Sequence, residues 1–294
     1  MSKRVSLVLS SGGARGLAHI GAIRCLEEQG YEIGYVAGSS MGALVGGIYA
    51  AGKLDEYSTW VEALRRSDIV QLLDFGWGGA GLFKGDRIIA ALRELIGEHQ
   101  IEELPVGFTA VATDLQRKRE VWLDKGSLFS AIRASIAVPL VFEPVQLNDR
   151  HLIDGGVVNP LPIAPTLKEE ADLIVAVDLN GPDDSSIQRK EPVDDSAAGG
   201  ESNSIADNVA RFIDSFWPSR ESARQEHGML DVAMEAMDAM QVSIARHKLS
   251  AYSPDVIIQV PRNAAQFFEF DRARELIDIG HARTEAAFST IETG

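Results

Sequence analysis

The chain has 294 residues, 45% of them hydrophobic and 24% charged, enough apolar material for a sizeable core and too much for a fibrous or wholly disordered protein. A formal net charge of -15, from 43 acids against 28 bases, argues against nucleic acid as the main partner and against electrostatic attachment to anionic lipid, since both need a basic face. A lone Cys excludes an intramolecular disulfide framework or a thiolate metal cluster and favours a reducing compartment. No run approaches the roughly 20 apolar residues of a membrane span, and Met1 to Arg4 leads into a strand rather than a signal core. The expectation is a cytoplasmic protein with homo-oligomerisation left open.

Val5 to Leu9 reads as a strand ending in Ser10-Ser11-Gly12-Gly13, after which Leu17, Ile20, Ile23 and Leu26 recur at helical spacing. Ile33 to Ala37 is a second strand, and Gly38-Ser39-Ser40-Met41-Gly42 leads into a small-residue helix over Ala43 to Ala51. Two strand-turn-helix units in succession predict a parallel sheet. Asp55 to Arg66 and Asp86 to Ile96 read as amphipathic helices, Phe108 to Ala112 and Glu120 to Leu123 as strands, and Ser127 to Ala137 as a helix stopped by Pro139. His151 to Ile153 is a short strand running into Asp154-Gly155-Gly156, and Leu173 to Val177 a buried one. Gly181 to Ser204 carries six acids (Asp183, Asp184, Glu191, Asp194, Asp195, Glu201) and two bases (Arg189, Lys190) with few apolar residues, the composition of a disordered surface insertion. Helices over Ile205 to Phe216, Ala223 to Leu249 and Arg272 to Ile291 follow, with a late strand at Val256 to Val260. Because that strand follows the long helices, residues 1–294 are read as one α/β domain whose C-terminal part, 205–294, is mainly helical.

Gly38-Ser39-Ser40-Met41-Gly42 fits Gly-x-Ser-x-Gly between a strand and a helix. Such a strained turn lifts a serine hydroxyl clear of the backbone, the flanking Gly38 and Gly42 remove clashing Cβ atoms, and the helix N-terminus faces developing negative charge. Ser40 is therefore the candidate nucleophile. It comes after one βα unit, too early for the common lipase order of strands and triad residues.

A base is harder to find. His19, His99, His227 and His247 fit ordinary roles, and His151 and His281 are weak candidates. Asp154 is stronger, because two glycines after a strand let the chain turn sharply and leave the carboxylate in a cleft. A free Asp titrates near about 3.9 and is a poor base at neutral pH; burial and a hydrogen bond to Ser40 would change that. An Asp-Gly turn without chemistry weighs equally on these residues alone.

Ser11-Gly12-Gly13-Ala14-Arg15-Gly16 bares several N–H groups at a helix start, which makes an anion site. It lacks the Gly-Lys-Ser/Thr of a phosphate loop and the Gly-x-Gly-x-x-Gly of a dinucleotide site. An oxyanion formed at Ser40 needs the same donors, and a purely structural turn is the bland reading. Arg15 would orient the loop or meet an anionic head group.

These motifs, with Ala134-Ser135-Ile136-Ala137-Val138-Pro139 and the following Phe142 and Pro144, occur in an order and spacing that resembles the patatin-like phospholipases, especially short stand-alone bacterial members. The resemblance covers roughly Val5 to Val177. It implies a three-layer α/β/α patatin-like fold with a mostly parallel central sheet, a Ser40–Asp154 dyad, an oxyanion hole at Gly12 and Gly13 within Gly12–Gly16, and hydrolysis of lipid acyl esters without a metal or other cofactor. Ser11 departs from it, standing where the family usually has the first glycine of its run, which puts the Ser11 amide in question as a donor.

Phe75, Trp77, Leu82 and Phe83 alternate with glycines, a pattern that suits a lid offering apolar side chains to a lipid and equally a loop docked on the core. Met229, Met234, Met237 and Met240 fall near one face of the long helix, as core packing or as the lining of an acyl pocket or subunit interface. Membrane contact, if made, would be peripheral and apolar. The leading expectation is a serine acyl hydrolase acting on phospholipid or lysophospholipid esters. Acyl transfer or thioester hydrolysis on the same dyad, and a non-catalytic regulatory lipid-binding module, are the alternatives.

Overall fold

The computed structural model describes residues 2–74, 81–187 and 229–292. An eight-stranded sheet runs through the protein. Its strands are β1 (Arg4–Leu9), β2 (Glu32–Ser39), β4 (Gly107–Asp114), β5 (Arg119–Leu123), β7 (Val145–Leu147), β8 (Arg150–Asp154), β9 (Leu173–Gly181) and β10 (Val256–Pro261). The order is β10-β9-β1-β2-β4-β8-β7, with β5 also on β4. From β10 to β4 every neighbour is parallel, whereas β5 and β8 run antiparallel to β4, and β7 to β8. The sheet is thus mostly parallel, with an antiparallel edge. A separate two-stranded parallel pair joins β3 (Gly81–Phe83) to β6 (Leu140–Phe142).

Among the described residues the helices are α1 (Ala18–Glu28), α2 (Met41–Ala50), α3 (Leu54–Ala63), α4 (Arg66–Leu72), α5 (Asp86–Ile96), α6 (Leu128–Ser135), α7 (Met229–Tyr252) and α8 (Ala273–Glu292), and they cover both faces of the sheet in a three-layer α/β/α arrangement. The central strands explain their own composition: Val5 to Leu9 of β1 is buried throughout, as a parallel strand covered on both faces must be. Helix α2 is apolar all round and almost wholly buried, while α5 buries only Ile89, Leu92 and Ile96, a single stripe. Ser127 caps α6, its side chain accepting from the Ser130 amide.

Several expectations are revised. The helix read over Asp55 to Arg66 is two helices, α3 and α4, broken where Leu64 and Arg65 are extended and Asp68 caps the Arg65 amide. Strands β6 and β7, three residues each, are too short to show a periodicity. Of the acidic stretch read as a disordered insertion, 181–187 is fastened: Gly181 ends β9, Asp183 pairs with Arg262 at 2.7 Å, and Asp184 bonds Asn263 and Arg283. Residues 188–204, the helix expected over Ile205 to Phe216 and the start of the one expected from Ala223 lie outside the described residues. The late strand, β10, lies beside β9 in the main sheet.

Candidate active site

Strand β4 brings the two leading candidates together. On one side Val111 is in register with Ser39, the last residue of β2; on the other Ala112 is in register with Asp154, the last residue of β8. Ser40 and Asp154 therefore leave their strands at the same height, flanking β4. Ser40 has φ 55 and ψ -122, a backbone conformation strained for any residue with a Cβ and maintained only where its surroundings impose it. One such constraint is Ser135, whose hydroxyl accepts from the Ser40 amide at 2.9 Å and donates to Val111 O at 2.6 Å. Another is Gly42, where a Cβ would stand 2.1 Å from Leu9 O.

Asp154 is 1% exposed. Burial pushes its carboxyl from 3.8 up to about 7, against the lowering pull of the Ser40 hydroxyl and the Gly156 amide. Oδ1 accepts from Gly156 N at 2.7 Å, and Oδ2 is buried with no partner in hydrogen-bond geometry. The Ser40 hydroxyl thus influences the carboxyl without being locked to it.

The glycine turn lies beside this pair as a 3-10 turn over Gly13–Leu17. Gly13 has φ +55, and a Cβ there would collide with Phe267. The Ser11 amide is used by Pro160 O at 2.8 Å and the Ala14 amide by Phe267 O at 2.9 Å. Among the described residues the Gly12 and Gly13 amides have no partner, so the candidate donor set narrows from Gly12–Gly16 to these two. Gly16 serves packing: a Cβ would stand 2.3 Å from Met41 Cβ. Arg15 is 7% exposed and its guanidinium is committed to Gly12 O, Arg262 O and Asp238, so it orients the loop and does not wait for a head group.

Among the described histidines none is hydrogen-bonded to Ser40 or Asp154. His19 is buried under the turn with Nε2 on Ser10 O at 2.9 Å, and burial lowers it to about 4, leaving it neutral. His151 is exposed, and His281 pairs with Glu28 at 2.8 Å at the surface. His227 lies outside the described residues.

Ser40 and Gly13 open into an apolar cavity of ≈ 120 Å³. Its other walls include Leu44, Val61, Ile69, Leu92, Val138 and Phe268. Phe83, expected in a lid, is 1% exposed and forms part of this wall against Phe142. Phe75 and Trp77 and the Leu82 side chain lie outside the described residues. Met234 and Met237 pack on the cluster around Phe83, whereas Met240 is 58% exposed; the Met229 side chain is not described.

The site residue given no role by the sequence is Ser135, visible there only as part of a motif block. Ser135→Ala strands the Ser40 amide and loosens the elbow. It is expected to cost about 1–2 kcal/mol of stability and to lower kcat about tenfold with KM little changed. Urea denaturation and steady-state kinetics on one ester measure both, and an unchanged kcat would remove Ser135 from the site.

An α/β sheet carrying a serine at a strand-to-helix elbow over an apolar cavity has the architecture of a carboxylic ester hydrolase. The chain belongs to the patatin-like phospholipase family, whose model matches residues 7–167. NTE family proteins of Mycobacterium tuberculosis and Mycobacterium bovis are 38% identical to it over 99% of this chain and 93% of theirs. The lysophospholipase nte1 of Emericella nidulans is 30% identical over 63% of this chain and 12% of its own length. Among solved structures, VipD from Legionella pneumophila overlaps with TM-score 0.46 and 13% identity, covering 97% of this chain and 67% of that one. No helix among the described residues is long and apolar enough to cross a membrane.

Proposed function

We propose that this protein hydrolyses phospholipid or lysophospholipid esters with Ser40 as nucleophile and Asp154 as base. The observation that carries this reading is the meeting of a serine on a strained turn, at the wall of an apolar cavity, with a buried carboxyl poised near neutrality. Ser40 Oγ attacks the ester carbonyl carbon while its proton passes to the Asp154 carboxylate; the carbonyl oxygen gains the charge and faces the Gly12 and Gly13 amides. The carbon–oxygen bond to the alcohol then breaks, and the alcohol leaves with the proton held by Asp154. Water, deprotonated by Asp154, attacks the acyl-enzyme; the bond between the acyl carbon and Ser40 Oγ breaks, Asp154 returns the proton to Oγ, and the fatty acid leaves. The aliphatic and aromatic cavity wall suits an acyl chain, and the lysophospholipase name of the fungal relatives favours a lipid ester.

A fluorophosphonate probe is expected to label the protein on the peptide containing Ser40, and a lysophospholipid panel to release free fatty acid. Labelling elsewhere, or equal labelling of Ser40→Ala, would sink the nucleophile assignment. Acyl transfer predicts a new ester or thioester when an alcohol or thiol acceptor is added, with little free acid. A non-catalytic lipid-binding module predicts neither labelling nor product.

A further inference from the structure

Ser11 and Gln241 take no part in that chemistry, yet they join the two turns that frame it. The Ser11 amide is already used by Pro160 O, so a side chain at this position costs the turn no donor. That side chain points at α7, beyond the segment matched by the family model: Ser11 Oγ donates to Gln241 Oε1 at 3.0 Å, the two residues being 1% and 8% exposed. Three residues earlier on α7, Asp238 accepts from Arg15 at 2.9 Å, and Arg15 in turn donates to Gly12 O at 3.2 Å. Helix α7 thus grips the glycine turn on both sides of Gly12 and Gly13. On its other side Gln241 reaches the aspartate turn, because a Cβ at Gly156 would stand 2.8 Å from both Gln241 Nε2 and Ser11 Oγ, and 2.9 Å from Asp154 Oδ1.

We infer that Gln241 is a positioning residue for ester hydrolysis, holding the Gly12–Gly13 donors in register with Ser40 and Asp154 through its hydrogen bond to Ser11. The inference rests on the proposed function, in which those amides receive the oxyanion. Donors of this kind act only within a few tenths of an ångström of the right distance, and a buried, hydrogen-bonded side-chain pair supplies that rigidity. Gly12 and Gly13 bring no side chains of their own to brace the turn between the anchors at Ser11, Ala14 and Arg15.

The test is a set of four variants, Gln241→Ala, Gln241→Met, Ser11→Gly and the Ser11→Gly/Gln241→Ala double, assayed for kcat and KM on a p-nitrophenyl ester alongside the melting temperature. Each single variant is expected to lose about tenfold to a hundredfold in kcat with KM within about twofold of wild type. The double variant is expected to be no worse than either single, because the same interaction is lost in all. Gln241→Met keeps the bulk and lacks the amide, so wild-type kcat in that variant would assign Gln241 to packing and overturn the inference. Multiplying losses in the double variant, or losses carried by KM, would overturn it too. Should Gln241→Ala fail to fold, Ser11→Gly and Gln241→Met carry the same comparison. Wild-type activity that survives Ser40→Ala would remove the proposed function, whereas Ser40-dependent activity with unchanged kcat in Gln241→Met and Ser11→Gly would remove the positioning role alone.

Discussion

Replacing Asp154 by asparagine is expected to slow ester hydrolysis by about 10⁴-fold or more, the scale of losing a base that works as a unit with its nucleophile, while making the protein more stable above neutral pH. The two effects share one cause. Asp154 sits 1% exposed at the end of β8, and burial raises its carboxyl to about 7, so the fold prefers the neutral acid while the proposed chemistry needs the carboxylate. In the unfolded chain the group titrates near 3.8. The stability that comes from keeping it protonated is therefore fully present below about 3.8 and is lost as pH rises through about 7, a loss of roughly 4 kcal/mol at its limit. Asparagine is neutral throughout and escapes that loss. The melting temperature of Asp154→Asn should pull ahead of wild type between about pH 4 and pH 7 and keep a level lead above that, and wild-type kcat/KM should climb through about pH 7 as the carboxyl ionises. Parallel melting curves over that range, or a flat kcat/KM profile, would show that Asp154 is not a buried base.

Gly42→Ala is expected to destabilise the protein by about 3 kcal/mol or more, as overpacking against backbone does, although helix propensity taken alone would make it a gain of about 1 kcal/mol. The tertiary contact decides the sign. A Cβ on this second residue of α2 would stand 2.1 Å from Leu9 O and 2.8 Å from Ser10 O, both backbone atoms of β1 and its end. Neither can move without displacing α2, and α2 carries Ser40 at its N-terminus. The denaturation midpoint and the rate of fluorophosphonate labelling should fall together; a midpoint at or above that of wild type would mean that α2 does not rest on β1 as described.

The elbow and the glycine turn are legible in the chain because their causes are local. An apolar run, then small residues, then a helical repeat determine strand, turn and helix within about 15 residues, and Ser40 and Gly13 hold positive φ in those turns. Asp154 is visible as a residue type in a turn, but its candidacy as a base comes from burial and from β4 standing between β2 and β8. For Phe83 the docked reading holds rather than the lid, for a related reason: alternating aromatics and glycines look alike in a mobile loop and in a wall, and only the packing of Phe83 against Phe142 separates them. Strands β6 and β7 and helix α4 carry too little periodicity in their short segments to be legible in the sequence. Ser135 and Gln241 have no local signal for their contacts, since the first acts across 95 positions and the second across 230.

The early glycines divide in the same way. By itself the sequence determined the α/β class, the family, the nucleophile candidate on its elbow and the turn able to bind an anion, all consequences of short-range backbone sterics and hydrophobic pattern. Only the tertiary structure decided which amides of that turn are unspent, that Asp154 is buried and near neutrality, that Arg15 is committed to the protein, and that an apolar cavity opens at Ser40. Those properties depend on desolvation and on contacts between segments far apart in the chain, and neither is written in any one stretch of residues.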